Sequence, residues 1–282
     1  MPRPLLSIRA RLANDDGTVH NCRSNHEGTV LKALRNLFGR SASPATAVGD
    51  RVYAIGDVHG RADLLEQMLA AIGQHSAKLS AAQRLHIIFI GDIIDRGPDS
   101  RKALEILDEA RHRMPELLVL LGNHEEMLLR ALAGDESTIR GWMRVGGAET
   151  VKSFGLEPLL EGEDAVPWVA ALRRAVPTAW AEWIATWPLT ARSGDYLFVH
   201  AGVRPGVPLK RQVRPHFLWG HEAFLEDTRD HGAVIVHGHT IFPEVDIRRN
   251  RIGIDTGAYG SNRLSAICLD GTDQTVITVS GD

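Results

Sequence analysis

The residues of this 282-residue chain best suited to chemistry fall in five short blocks. These are Gly56-Asp57-Val58-His59-Gly60, Gly91-Asp92-Ile93-Ile94-Asp95-Arg96-Gly97, Gly122-Asn123-His124-Glu125, Val199-His200-Ala201-Gly202 and Val236-His237-Gly238-His239-Thr240. Asp57 and His59 are two apart, a spacing that in extended backbone points both side chains the same way. Asp92 has two carboxylate oxygens and can bridge two ions, Asn123 supplies a neutral carbonyl oxygen, and His200 and His239 supply imidazole nitrogen. A mixed oxygen and nitrogen set suits manganese, iron or zinc better than calcium, and excludes a soft thiolate site. One Asp-x-His or one loop histidine is usually just solvated. Five blocks of ligand-type residues are poorly explained by chance or by core packing.

Each block sits where an element must end. Val52-Tyr53-Ala54-Ile55, His86 to Ile90 and Leu117 to Leu121 are short apolar runs rich in β-branched residues, which predicts buried strands. Helical spacing follows each run: Leu64, Leu65, Met68, Leu69 and Ile72, then Ala103, Leu104, Leu107 and Ala110, then Met127, Leu128, Ala131 and Leu132. Repeated β-α units imply parallel strands with right-handed crossovers. Residues 137–187 read as a helical cap whose tryptophans, Trp142, Trp168, Trp180, Trp183 and Trp187, form an aromatic core. Strands return at Tyr196–Val199, Ala233–Val236, Val245–Arg248, Ile252–Asp255 and Leu264–Leu269, and Thr275–Val279 closes a hairpin through Asp270-Gly271. Parallel units first and antiparallel strands later suggest two packed sheets flanked by helices. The carboxyl ends of strands in an α/β sheet converge on one crevice, where the five blocks can meet.

In this order, the blocks GDVHG, GDIIDRG, GNHE, HAG and GHT resemble the phosphoprotein phosphatases, a family of calcineurin-like metallophosphoesterases. Within it the likeness is strongest to small bacterial and phage-type serine/threonine phosphatases. It covers about residues 50–270, and Gly141-Trp142, Gly146-Gly147 and Asp255-Thr256-Gly257-Ala258 extend it beyond the site. The resemblance implies a four-layer α/β/β/α sandwich of two mixed sheets flanked by helices. It implies two divalent ions, manganese first and iron or zinc otherwise. Asp57, His59 and Asp92 would hold one, and Asp92, Asn123, His200 and His239 the other. The implied reaction is hydrolysis of a phosphate monoester on a phosphorylated protein or small phosphoester, by in-line attack of a metal-bridging hydroxide. His124, next to a ligand and so at the rim, would be the general acid, Asp95 would orient it, and Arg96 would fork onto phosphate oxygens. A salt bridge between Asp95 and Arg96 that merely pins the loop is the structural alternative. Tyr259 resembles an aromatic near the site in eukaryotic relatives.

One position departs from the pattern. Phage-type enzymes carry Trp-x-Arg-Glu where this chain has Trp219-Gly220-His221-Glu222, so His221 takes the place of the second phosphate-binding arginine. His237 either lines the pocket or is buried behind it, and Arg204 either touches substrate or is solvated. Two rivals share the scaffold. A symmetrical dinucleoside tetraphosphate hydrolase lacks the Asp of DRG, so Asp95 and Glu125 weigh against it. A non-catalytic binding module should have gaps among its ligands, and this chain has none.

The bulk numbers agree. With 44% hydrophobic and 24% charged residues the chain can build a real core, and a net charge of −3 provides no field for nucleic acid or anionic membrane. Cys22 and Cys268 form no metal or disulfide pattern, and no apolar run approaches the ~20 residues of a membrane helix. A cytoplasmic protein is expected. Residues 1–47 read as a poorly ordered extension, with a short amphipathic helix over Leu31–Phe38, ahead of a catalytic domain at 48–282.

Overall fold

A strand covered on both faces favours a continuous apolar run. In the computed structural model, which describes residues 43–281, strand β1 (Asp50–Ile55) is buried along its whole length. Strand side chains alternate, so Val52 and Ala54 enter the layer between two sheets while Tyr53 and Ile55 pack beneath helices. Helix α1 (Ala62–Ala77) buries Leu64, Leu65, Met68 and Ile72 as one stripe. Strand β2 (Arg84–Phe89) follows, then helix α2 (Ser100–Arg113), whose N-terminus is capped by Asp99 accepting from Lys102 N at 2.8 Å. Strand β3 (Leu117–Val119) is two residues shorter than the apolar run suggests, and α3 (Asn123–Ala133) opens directly on the third block.

The cap consists of α4 (Glu136–Trp142), a five-residue π-helical turn (Met143–Gly147), α5 (Ala148–Ser153), α6 (Ala165–Ala175) and α7 (Thr178–Ala185). Trp142 and Trp187 are buried, and Trp168, Trp180 and Trp183 pack partly buried against the same core. The aromatic core read from the sequence is therefore real. Beyond it come β4 (Thr190–Ser193), β5 (Tyr196–Val199), α8 (Arg214–Leu218), α9 (Ala223–Glu226), β6 (Val234–His237), β7 (Asp246–Ile247), β8 (Arg251–Gly253), α10 (Ala258–Ser261), β9 (Arg263–Asp270) and β10 (Asp273–Ser280).

Two five-stranded sheets result, ordered β10-β9-β1-β2-β3 and β4-β5-β6-β8-β7. Val52, Ile88, Ile90, Phe198, Val236, Ile252 and Ile267 fill the layer between them. Both sheets are mixed, as the resemblance implies. The simpler reading, parallel strands first and antiparallel strands later, needs correction. β5, β6 and β8 pair in parallel, and β9 returns to lie antiparallel beside β1 in the first sheet.

Residues just before 48 are also bonded to the sheets. Ala45 N donates to Asp195 Oδ2 at 3.1 Å, Ala47 N to Ser193 Oγ at 3.0 Å, and buried Thr46 exchanges two hydrogen bonds with Gly271. Both sheets thus hold this short stretch. The helix expected over Leu31–Phe38 lies outside the described residues. No helix among the described residues is long and apolar enough to cross a membrane.

Candidate metal centre and active site

The turn after β1 is not extended. Val58 N and His59 N both donate to the Asp92 carbonyl, at 3.0 and 2.9 Å, and His59 adopts a left-handed backbone with φ 46°. The chain curls around the second block here, so the alignment expected of two-residue spacing in extended backbone does not apply. His59 Nδ1–H donates to the Ile94 carbonyl at 2.8 Å, which leaves the Nε2 lone pair facing Asp92 Oδ2 at 3.7 Å. Burial holds the His59 pKa down at about 3, so the ring stays neutral and ready to ligate.

Asp92 lies at the centre. His124 N donates to its Oδ1 at 3.1 Å, and its Oδ2 is 3.3 Å from His200 Nε2 and 3.8 Å from His124 Nε2. Burial opposes its ionisation, but His200 and His124 outweigh burial and hold the carboxyl well below the ordinary range. Asn123 Oδ1 is 2.8 Å from His200 Nε2 and 2.9 Å from His239 Nδ1. His200 Nδ1–H is committed to the Ile90 carbonyl at 2.9 Å. In the neutral imidazole the Nε2 lone pair therefore meets two oxygen acceptors. Either a bound cation reconciles them, or a proton on Nε2, which burial opposes but Asp92 favours by raising the His200 pKa.

Asp57 makes the same point. Its Oδ2 accepts from His239 N at 3.0 Å, while buried Oδ1 has no hydrogen-bond partner. A side chain at Gly238 would place Cβ 2.0 Å from that oxygen, so the glycine keeps the approach clear. Burial, then the charges of Asp255 and Asp92, push the Asp57 carboxyl well above its ordinary value. A buried acid with one unpartnered oxygen, beside a carboxylate, an amide oxygen and three imidazoles, fits borderline divalent ions. Two groups stand out by distance: His59, Asp92 and His124, and Asp92, His200 and His239, with ligand atoms within 4.8 Å of one another in each.

His124 is not at a rim: it is 1% exposed. Its Nδ1–H donates to Asp95 Oδ2 at 2.6 Å, and its Nε2 accepts from Arg96 Nη2 at 3.1 Å. Asp95 is satisfied from three sides, accepting from His124, from Trp142 Nε1 at 2.6 Å and from Thr150 Oγ1 at 2.5 Å. Asp95 thus spends its oxygens on His124 and the cap, not on Arg96. The Arg96 guanidinium also reaches His59 Nε2 at 3.0 Å and lies 5.0 Å from the Tyr259 ring, whose edge packs on His59.

The structure does not bring every candidate in. His221 is exposed, and its Nδ1 accepts from Ala223 N at 3.2 Å. Its turn folds back on itself, because Gly220 has a left-handed backbone with φ 68°. His237 is fully buried between Phe224 and Phe242, behind the cluster. The Arg204 backbone is bonded to Gln212, and its side chain is exposed.

Sequence reasoning missed three residues. The Glu125 carboxylate, fully buried, accepts from Gly122 N, Asp92 N, Ile93 N and Ile94 N at 2.8–3.2 Å, tying the second block to the third. Burial raises its pKa to about 7. The signal was present, since a Glu at the third helical position is a capping residue. Asp255, raised to about 6 by burial, accepts from Gly257 N with Oδ1 and leaves Oδ2 without a partner near Asp57. Trp142 was read as core and is also the donor that fixes Asp95.

Residues 50–266 match the calcineurin-like phosphoesterase family. Serine/threonine-protein phosphatase 1 of Salmonella typhimurium is 35% identical over 227 residues, 76% of this chain and 89% of that protein. The symmetrical bis(5'-nucleosyl)-tetraphosphatase of Methylococcus capsulatus is 34% identical over 154 residues, 55% of this chain; the match spans only 44% of that protein's length. Among solved structures, the cold-active protein-tyrosine phosphatase of a psychrophilic Shewanella covers 83% of this chain and 82% of its own, at 18% identity and a TM-score of 0.50, a likeness of fold. The sandwich of two mixed sheets, the cluster of buried acids, amide and imidazoles at the strand ends, and these matches agree: the chain belongs to the calcineurin-like phosphoesterase family of metal-dependent phosphoester hydrolases.

Proposed function

We propose that this hydrolase acts on phosphate monoesters of serine or threonine in phosphorylated proteins. The observation that carries the reading is the buried His124–Asp95 pair, with His124 Nε2 3.8 Å from Asp92. A serine alkoxide is a poor leaving group and needs a proton, and an imidazole held by a carboxylate supplies one. A nucleoside polyphosphate departs as a stabilised anion and gains far less from a donor.

Two divalent ions, held by Asp57, His59, Asp92, Asn123, His200 and His239, would supply a nucleophilic water at neutral pH and neutralise phosphoryl charge. Arg96, now on His59 and His124, would place its planar fork on two phosphoryl oxygens, and the Tyr259 ring would bound the guanidinium from the other side. With Arg96 turned to the phosphate, His124 Nε2 is free to take a proton, which the raised His124 pKa favours. As the P–O ester bond breaks, it passes that proton to the departing oxygen while Nδ1 stays on Asp95. A proton from the attacking water then restores His124. No covalent intermediate is required.

Hydrolysis of dinucleoside tetraphosphates is the second reading, favoured by the Methylococcus relative's 34% identity. Purified protein assayed with manganese on a phosphoserine peptide and on diadenosine tetraphosphate separates them. The proposal expects the higher kcat/KM on the peptide. A higher value on the dinucleotide would overturn it.

A further inference from the structure

Asp95 and Arg96 are consecutive non-glycine residues with left-handed backbone, φ 75° and 67°. Such a pair is strained, and it persists only where its surroundings hold it. What holds it is the cap. Arg96 N donates to the Gly146 carbonyl at 3.1 Å and Arg96 Nε to the Val145 carbonyl at 3.3 Å, both in the π-helical turn Met143–Gly147. The helix is broken here by a kink at Gly146, where φ is 123° and the backbone is not helical.

The two glycines of the turn face different residues. A Cβ at Gly146 would lie 2.6 Å from Arg96 Cγ and 2.7 Å from Arg96 N, and its three nearest atoms all belong to Arg96. A Cβ at Gly147 would instead lie 2.5 Å from the Trp142 ring, whose Nε1 donates to Asp95. A side chain at 146 must therefore displace Arg96, and one at 147 must displace the donor that fixes Asp95.

We propose that this kinked turn is a positioning element: Val145 and Gly146 set the guanidinium of Arg96 for the substrate phosphate, and Gly147 seats Trp142 against Asp95. Cap and catalytic loop are thus joined, and phosphate affinity depends on a glycine with no contact to substrate. The inference rests on the reading of Arg96 as a phosphate contact.

The test is a double-mutant cycle on Gly146→Ala and Arg96→Ala, reading KM for a phosphoserine peptide, inhibition by inorganic phosphate, kcat and metal content. A hydrogen-bonded charge displaced from its phosphate should raise KM and the phosphate inhibition constant about tenfold or more. For Gly146→Ala, kcat should stay within about twofold on that basis and metal content should not change. In the Arg96→Ala background, Gly146→Ala should add nothing. An equal effect in both backgrounds, or none in the wild type, would overturn the inference alone. Phosphate inhibition untouched by Arg96→Ala would remove the phosphate reading of Arg96, and the inference with it. Amide exchange in the wild type decides the matter even where Gly146→Ala fails to fold. Saturating inorganic phosphate should slow exchange across residues 143–147 together with Arg96, and unchanged exchange in the turn would overturn the proposal.

Discussion

Replacing Asp95 by asparagine removes one negative charge from a buried pair and little else. Asp95 Oδ2 accepts from His124 Nδ1 and Trp142 Nε1, both at 2.6 Å, and Oδ1 accepts from Thr150 Oγ1. With the amide oxygen in the place of Oδ2, both ring donors stay satisfied. The new NH2 then meets the Thr150 hydroxyl, which can accept. The fold should lose about 1 kcal/mol, which lowers Tm by roughly 2–4 °C for a domain of this size. His124 should change far more. Burial disfavours its protonation, yet Asp92 and the bond to Asp95 outweigh burial and raise its pKa above the ordinary value. A raised pKa keeps the proton-donating form present to higher pH, so losing the Asp95 charge brings that limit down. A neighbouring opposite charge moves a group by about 1–3 units, and the alkaline limb of kcat/KM on a phosphoserine peptide should fall by that much. Rates measured from pH 5 to 10 on both proteins, with metal content checked at each end, provide the assay. Superimposable alkaline limbs would refute the reasoning.

Three further outcomes follow from the geometry. His124→Asn should slow hydrolysis of a phosphoserine peptide by the ~10²–10⁴ typical of general acid catalysis, but hydrolysis of nitrophenyl phosphate far less; equal losses on both would mean that His124 only positions. Glu125→Ala strips the acceptor from four buried N–H groups at about 1–3 kcal/mol each. A urea titration should show a loss of more than about 4 kcal/mol, and a smaller one would show that water replaces the carboxylate. Compared with a chain beginning at Ser43, one beginning at Gly49 loses the Thr46 and Ala47 bonds and should melt several degrees lower, by roughly 2–4 °C per kcal/mol, with kcat unchanged.

How much was legible in the sequence depended on how local each signal was. Val52 to Ile55 and His86 to Ile90 announce buried strands because both faces are covered, so nearly every position is apolar. β4, Thr-Ala-Arg-Ser, announces nothing: it is four residues long and polar at three, and only its pairing with β5 makes it a strand. The return of β9 beside β1 joins residues more than two hundred apart, and no local pattern encodes that. In the site, the five blocks gave their own ligand-type residues. The partners that orient them, Trp142 and Thr150 on Asp95 and Glu125 on the Asp92 loop, act through hydrogen bonds across 30 to 60 residues. Trp142 and Gly146 matched the ordinary signature of a helical cap, and only the fold shows what they touch.

That Asp92 would be shared by two divalent ions, as proposed, is tested most directly by counting bound divalent ions per chain in active wild-type protein and in Asp92→Asn. Two ions are expected in the wild type, and fewer than one in Asp92→Asn, with turnover lost and the circular dichroism spectrum unchanged. An Asp92→Asn protein that keeps two ions and near wild-type turnover would contradict it.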